Sequence, residues 1–257
     1  MTDNTSLTHR DKVVVIVGGT GAIGGAVGRA LATAGAKIVL AGRNERAASR
    51  SLEAIRGKGA DAEFISVDVT RSADLERLVI ETVGRFGRLD CAFNNAGWEG
   101  TAAETANIDE QDWTRMLDIK LSGVWRGMKY QLRHMMAHGG GSIVNMAGSW
   151  GLVPAPNYGA YCAAAHGIIG LTKTAALEYA AKGLRVNAVC PGAVDTPMLD
   201  RMFHGDTAAK AGFGATIPMG RLARPEDIAG AVLWLTSDAA SYVTGQAIGL
   251  TGGRVVA

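Results

Sequence analysis

Val13-Val14-Val15-Ile16-Val17-Gly18-Gly19-Thr20-Gly21-Ala22-Ile23-Gly24-Gly25 decides the fold of this chain. The β-branched run Val13–Val17 reads as a strand buried on both faces. The glycines after it make a tight turn, and the apolar period from Ile23 to Ala34 reads as a helix. A Gly-rich turn between strand and helix lets backbone N–H groups approach a pyrophosphate at the helix N-terminus, where the macrodipole favours anions. A Gly-rich turn alone says little; here the strand before it and the helix after it supply the context.

The same alternation continues outward. Lys37–Ala41, Ala62–Ser66, Leu89–Phe93, Ser142–Met146, Arg185–Val189 and Gln246–Leu250 read as further strands. Between them, Glu45–Gly57, Ser72–Phe86, Asp109–His138, Tyr158–Lys182 and Pro225–Ser237 have helical length and amphipathic period. Strand–helix alternation of this kind predicts right-handed βαβ units and a single α/β domain, a doubly wound parallel sheet of about seven strands with helices on both faces. The stretch from Thr196 to Gly220 has no clear period and is expected to be a mobile loop over substrate.

Composition narrows the class. Across 257 residues, 47% are hydrophobic and 19% charged, enough apolar surface for a sizeable core. A net charge of +2 with no basic run argues against nucleic acid or an anionic membrane surface as partner. No apolar stretch reaches transmembrane length and the N-terminal segment has no signal-peptide pattern, so a cytoplasmic protein is expected. Cys91, Cys162 and Cys190 lie far apart with no metal-ligand spacing, and read as reduced thiols, Cys91 and Cys190 on buried strands. His134 and His138 share a helix face but lack a third ligand, and no metal site is expected.

Several segments in order resemble the short-chain dehydrogenase/reductase family. Val17 to Gly24 is similar to its fingerprint Thr-Gly-x-x-x-Gly-Ile-Gly, with Val17 for the Thr and Ala22 for the middle Gly. Asn94-Asn95-Ala96-Gly97, Asp68-Val69, Pro191-Gly192, Thr196-Pro197, Arg221, Pro225-Glu226-Asp227 and Ser237-Asp238 match further family segments, and Thr251-Gly252-Gly253 replaces the usual Asp-Gly-Gly. The resemblance covers nearly the whole chain. It implies a Rossmann-type fold and a nicotinamide dinucleotide held by Gly18, Thr20, Gly21, Ile23, Arg43, Asp68, Val69, Asn95, Ala96, Gly97, Tyr161, Pro191, Gly192, Val194 and Thr196. It also implies a homo-oligomer, a dimer or tetramer. An acidic residue at the end of the second strand would bind the adenosine 2′-hydroxyl. Gly42 stands there instead, and Arg43 beside it can pair with a 2′-phosphate, which predicts NADP(H) over NAD(H).

The active-site segment Asn157-Tyr158-Gly159-Ala160-Tyr161-Cys162-Ala163-Ala164-Ala165 departs from that family's Tyr-x-x-x-Lys. Tyr161 takes the Tyr position, but Ala165 stands for the Lys, Gly148 for the Ser and Lys120 for the Asn. In the family, hydride passes between nicotinamide and a carbonyl carbon while the Tyr hydroxyl exchanges the proton. A phenol in ordinary surroundings stays protonated at neutral pH, so it can donate in a reduction but needs a nearby cation to act as base. Lys120 is the candidate for that cation, entering from the neighbouring helix, and Ser149 for a shifted oxygen-binding hydroxyl. Lys120 could instead face solvent or pair with Asp118 or Glu178. Tyr158, Trp98, Trp150, Met146 and Met198 are candidate pocket walls, which suits an apolar or aromatic small molecule.

These readings predict an NADPH-dependent ketone or imine reductase with a non-standard active site. An imine fits well, because a protonated iminium is already electrophilic. Two rival classes stay open: a non-redox isomerase, dehydratase or cyclase on the same fold, and a pseudoenzyme that binds nucleotide without turnover.

Overall fold

A computed structural model describes residues 8–255. Seven parallel strands form one sheet in the order β3-β2-β1-β4-β5-β6-β7. The strands are β1 (Val13–Val17), β2 (Lys37–Gly42), β3 (Ala62–Ser66), β4 (Cys91–Asn94), β5 (Gly141–Met146), β6 (Leu184–Pro191) and β7 (Ala247–Leu250). The helices are α1 (Ala22–Thr33), α2 (Glu45–Arg56), α3 (Ser72–Phe86), α4 (Glu110–Met116), α5 (Gly123–Ala137), α6 (Gly159–Tyr179), α7 (Pro197–Met202), α8 (Thr207–Ala215) and α9 (Pro225–Thr236). Strand order reverses at β1 and β4, so a crevice opens at their carboxyl ends, the place where open α/β sheets bind ligands.

Both faces of the sheet are covered. Alternate residues of each strand point to opposite faces. Val15, Val39 and Ala92 join Leu75, Leu78, Met128, Leu132, Ile168 and Ala175 of α3, α5 and α6 in one core. Val14, Ile16, Ile38 and Leu40 join Val27, Leu31, Ile228 and Val232 of α1 and α9 in the other. Each of the Val, Leu, Ile and Met side chains contributes roughly 1.5–3 kcal/mol on full burial. Cys91 and Cys190 are buried on β4 and β6, as read from the sequence. Among the described residues, no helix is long and apolar enough to cross a membrane.

Two expectations need correction. The stretch Asp109–His138 is not one α-helix: α4 and α5 are separated by a π-helical turn, Leu117–Ser122. Asp109 caps α4 by accepting from the N–H groups of Gln111 and Asp112. The π turn widens the helix just where Lys120 turns inward, and its apolar spacing cannot be told from an α-helical period. Second, the stretch from Thr196 to Gly220 carries α7 and α8. Thr196 caps α7 ahead of Pro197, and Asp206 caps α8 through the Ala209 N–H. These caps hold two helices too short for a clear period, and Gly212 and Gly214 weaken that of α8 further.

Candidate active site

The residues assigned to cofactor gather at the carboxyl edge of the sheet. Gly18 follows β1, and the approach of α1 to the turn is so close that a Cβ on Gly24 would stand 2.4 Å from the Gly18 carbonyl oxygen. Gly21 precedes α1 with no side-chain cap, so the first helical N–H groups stay free for an anion. Ala22, the departure from the fingerprint, is exposed, and its methyl lines an open cavity with Thr20, Gly21, Arg29 and Arg50. The Asn95 amide donates to the Gly18 carbonyl at 3.2 Å, tying the end of β4 to the turn. Its neighbour Asn94 is buried in a network with Gln131 and Asn145, both at 3.0 Å, and Asn145 donates on to Thr172.

Arg43 and Asp68 follow the ends of β2 and β3, with Arg43 near enough to act on the Asp68 carboxyl without pairing with it. Asp68 accepts from the Thr70 N–H and hydroxyl at 3.0 and 2.8 Å. The backbone hydrogen bond, chiefly, and the Arg43 and Arg71 guanidiniums hold its carboxyl below the usual range. A Cβ on Gly42 would meet the Thr20 hydroxyl and methyl at 3.1 and 3.2 Å, so an acidic side chain there would have to push past Thr20. Val69 lies beneath the start of α5, in contact range of Gly123. Pro191 ends β6, Gly192 follows it, Val194 bridges to Ala223, and Thr196 spends its hydroxyl capping α7.

Tyr161 sits in the first turn of α6. Trp150 meets its ring edge-on at 5.1 Å and stacks on Tyr158 at 4.5 Å. Lys120 points inward from the π turn: it is 2% exposed, and its Nζ stands 4.3 Å from the Tyr161 ring centroid. The two alternative partners read from sequence are elsewhere. Asp118 pairs with Arg126 at 2.6 Å, and Glu178 is exposed. No carboxylate pairs with Lys120 among the described residues. The nearby Cys190 thiol is no counter-ion, since burial pushes it up to about 11 against the pull of the Lys120 ammonium. A buried ammonium with an aromatic face as its main polar neighbour is expensive unless it meets a partner in the working complex.

Ala165, one helical turn beyond Tyr161, is wholly buried. Ser149 opens a short 3₁₀ turn, Ser149–Gly151, at the end of β5, half-buried. A cleft beside Tyr161 is lined by Tyr158, Ile108, Met116, Thr101, Glu99 and Asp112 among others. The sequence reading missed the last five, which come from the loop after β4 and from α4 and carry no motif. Glu99 is held low by hydrogen bonding to Arg201 of α7, which ties that helix to the cleft mouth. Met146 lies in the core rather than on the cleft. His134 and His138 stack at 4.1 Å on the last turns of α5, towards Asp90 and the opposite edge of the sheet, and His166 is exposed.

Comparison with known proteins fits this geometry. A family described as Enoyl-(Acyl carrier protein) reductase matches residues 18–254. A 2,5-dichloro-2,5-cyclohexadiene-1,4-diol dehydrogenase of Sphingobium indicum is 38% identical over 243 residues, covering 94% of this chain and 96% of that protein. A cis-4-hydroxycyclohexanecarboxylate dehydrogenase of Sinomonas cyclohexanicum is 39% identical over 243 residues, covering 95% and 96%. A solved structure of a levodione reductase superposes with a TM-score of 0.93 at 35% identity, covering 95% of this chain and 98% of that one.

Proposed function

The chain belongs to the short-chain dehydrogenase/reductase family of nicotinamide-dependent oxidoreductases, and from that premise we propose that it is an NADPH-dependent reductase of C=O or C=N groups whose acid–base pair is Tyr161 and Lys120. One observation carries this reading: the Lys120 ammonium, buried and without a carboxylate partner among the described residues, 4.3 Å from the Tyr161 ring. The cation that the family places on α6 enters here from the π turn.

When bound, the cofactor supplies the hydride. Tyr161 gives its hydroxyl proton to the oxygen or nitrogen that gains charge. The charge of Lys120 stabilises the phenolate left behind. The Ser149 hydroxyl, with no internal hydrogen bond among the described residues, is the candidate to receive the substrate oxygen. Arg43 favours NADPH, and Gly42 offers no acidic side chain that would select NADH. Tyr158, Ile108 and Met116 of the cleft, with Trp150 stacked on Tyr158 behind it, suit an apolar substrate, and the relatives named for cyclohexane-ring alcohols make cyclic ketones the first compounds to try. Exposed Trp125 and Met136 on α5 and Leu177 on α6 favour a homo-oligomer.

The test is NADPH consumption with a panel of cyclic ketones and cyclic imines, alongside NADH. Turnover of at least one class with NADPH is expected. Absence of turnover with every compound, or equal affinity for NADH and NADPH in a fluorescence titration, would sink the corresponding part of the reading.

A further inference from the structure

The end of β5 and the start of α6 press together at two points. Gly148 has φ 91° and ψ 158°, a region that essentially only glycine adopts. A Cβ built there would lie 2.9 Å from the Tyr161 phenolic oxygen and 3.5 Å from Cε1. A Cβ on Gly151 would lie 2.9 Å from the Ala165 carbonyl oxygen. Tyr161 and Ala165 are four residues apart on one face of α6. The turn Ser149–Gly151 thus lies on that face with no side chain from Gly148 or Gly151 between them.

We propose that Gly148 is a positioning residue for Tyr161: the space left by its missing side chain is the seat of the phenolic hydroxyl. The Tyr161 ring is already fixed from two other directions, edge-on by Trp150 and across its face by the Lys120 ammonium. A methyl at 148 must therefore be relieved by turning the ring away from Lys120 or by lifting the turn off α6. Either movement separates the proton donor from its cation or from the end of β5. A consequence runs against the resemblance. The family places a Ser at this position, yet here a restored hydroxyl would displace the group it is meant to assist. The inference rests on the reading of Tyr161 as proton donor for its catalytic meaning, but the seat itself is a statement about packing.

The experiment uses Gly148→Ala and Gly148→Ser, each made alone and combined with Tyr161→Phe. Melting temperature, NADPH affinity by fluorescence and turnover of a compound that the parent protein reduces are measured. Both single variants are expected to lose about 100-fold in kcat with NADPH affinity unchanged, the scale of a misplaced catalytic group. Their loss in melting temperature should be partly recovered when Tyr161→Phe removes the phenolic oxygen. Equal losses with and without that oxygen, or a Gly148→Ser protein as active as the parent, would overturn the proposal. Where Gly148→Ala does not fold, recovery of folded protein by adding Tyr161→Phe or Tyr161→Ala supports the seat, and failure of both overturns it. If the parent protein reduces nothing on the panel, the functional reading fails while the melting-temperature comparison still decides the seat.

Discussion

The two halves of the crevice differ in how they depart from the family they resemble. At the nucleotide half, the departures leave backbone geometry intact. Ala22 points outward, Gly42 leaves its edge to Thr20 and Arg43, and Asn95 still binds the Gly18 carbonyl. At the catalytic half, the departures reach the side chains themselves. Ala165 is buried where the resemblance would put a Lys, while Lys120 stands over Tyr161 as its matched pair; Gly148 has no side chain, and a Cβ there would stand 2.9 Å from the Tyr161 phenolic oxygen. Backbone amides that hold an anion tolerate side-chain drift. A proton relay depends on side-chain atoms at fixed separations, so it changes as a set.

Tyr161→Phe gives the sharpest contrast between the halves. It should reduce turnover by roughly 10²–10⁴-fold while NADPH binds as before, since the catalytic half loses its acid and the nucleotide half loses only an edge contact. Steady-state kinetics beside a binding titration checks this, and retained turnover would break the comparison. Next in size is Lys120→Met. It removes preorganised charge, and a fall in kcat of about 10²-fold is expected. The same substitution should hold or raise the melting temperature, because an apolar chain of similar length replaces a Lys buried without a carboxylate partner among the described residues. A Lys that merely packs would leave kcat unchanged.

Ala165→Lys tests the exchange from the other side. Placing a second ammonium at a wholly buried position should destabilise the fold by about 2–3 kcal/mol in urea unfolding, and adding Lys120→Met should recover much of it. Gain of activity from Ala165→Lys alone would contradict the matched-pair view. Within the nucleotide half, Arg43→Ala should weaken NADPH by about tenfold and leave NADH unchanged, the scale of one charge-assisted contact. The smallest effect lies at the start of α9. Asp227 is held down to about 2, chiefly by its hydrogen bond to Arg221. A carboxyl lowered on folding adds stability that is whole above its unfolded value of about 3.8 and fades as pH falls towards 2. Asp227→Asn should therefore flatten the acid limb of a melting-temperature profile only below about pH 4.

Much of the fold was legible because strands and turns are local. Val13–Val17 and Ala62–Ser66 fall where the sequence put them, and each cysteine read as buried is so. Strand ends drifted where the apolar run overshoots the hydrogen-bonded ladder: Leu89 is buried yet precedes β4, which starts at Cys91. The site was legible only where a residue type is tied to a motif. Tyr161 and Lys120 were named through the resemblance to the family's motifs, but their meeting involves the π turn Leu117–Ser122, which no periodicity signals. Glu99 and Asp112 carry no motif, and the cleft acquires them from loop and helix placement that the chain encodes through packing.

The six-residue turn Leu117–Ser122 also makes chain length in this segment a variable of its own. A π turn closes hydrogen bonds one residue wider than an α-helix, so losing a single residue there would let the α-helical ladder run on and swing α4 by about 100° against α5. Asp112 and Met116 would rotate out of the cleft while α5 stayed docked on the sheet. Lys120 would lose its phase with Tyr161 in the same step. For this chain a one-residue deletion is thus a larger reshaping of the cleft than most exchanges of side chain, and the insertion or removal of single residues at 117–122 offers a dial on cleft shape that point substitution does not.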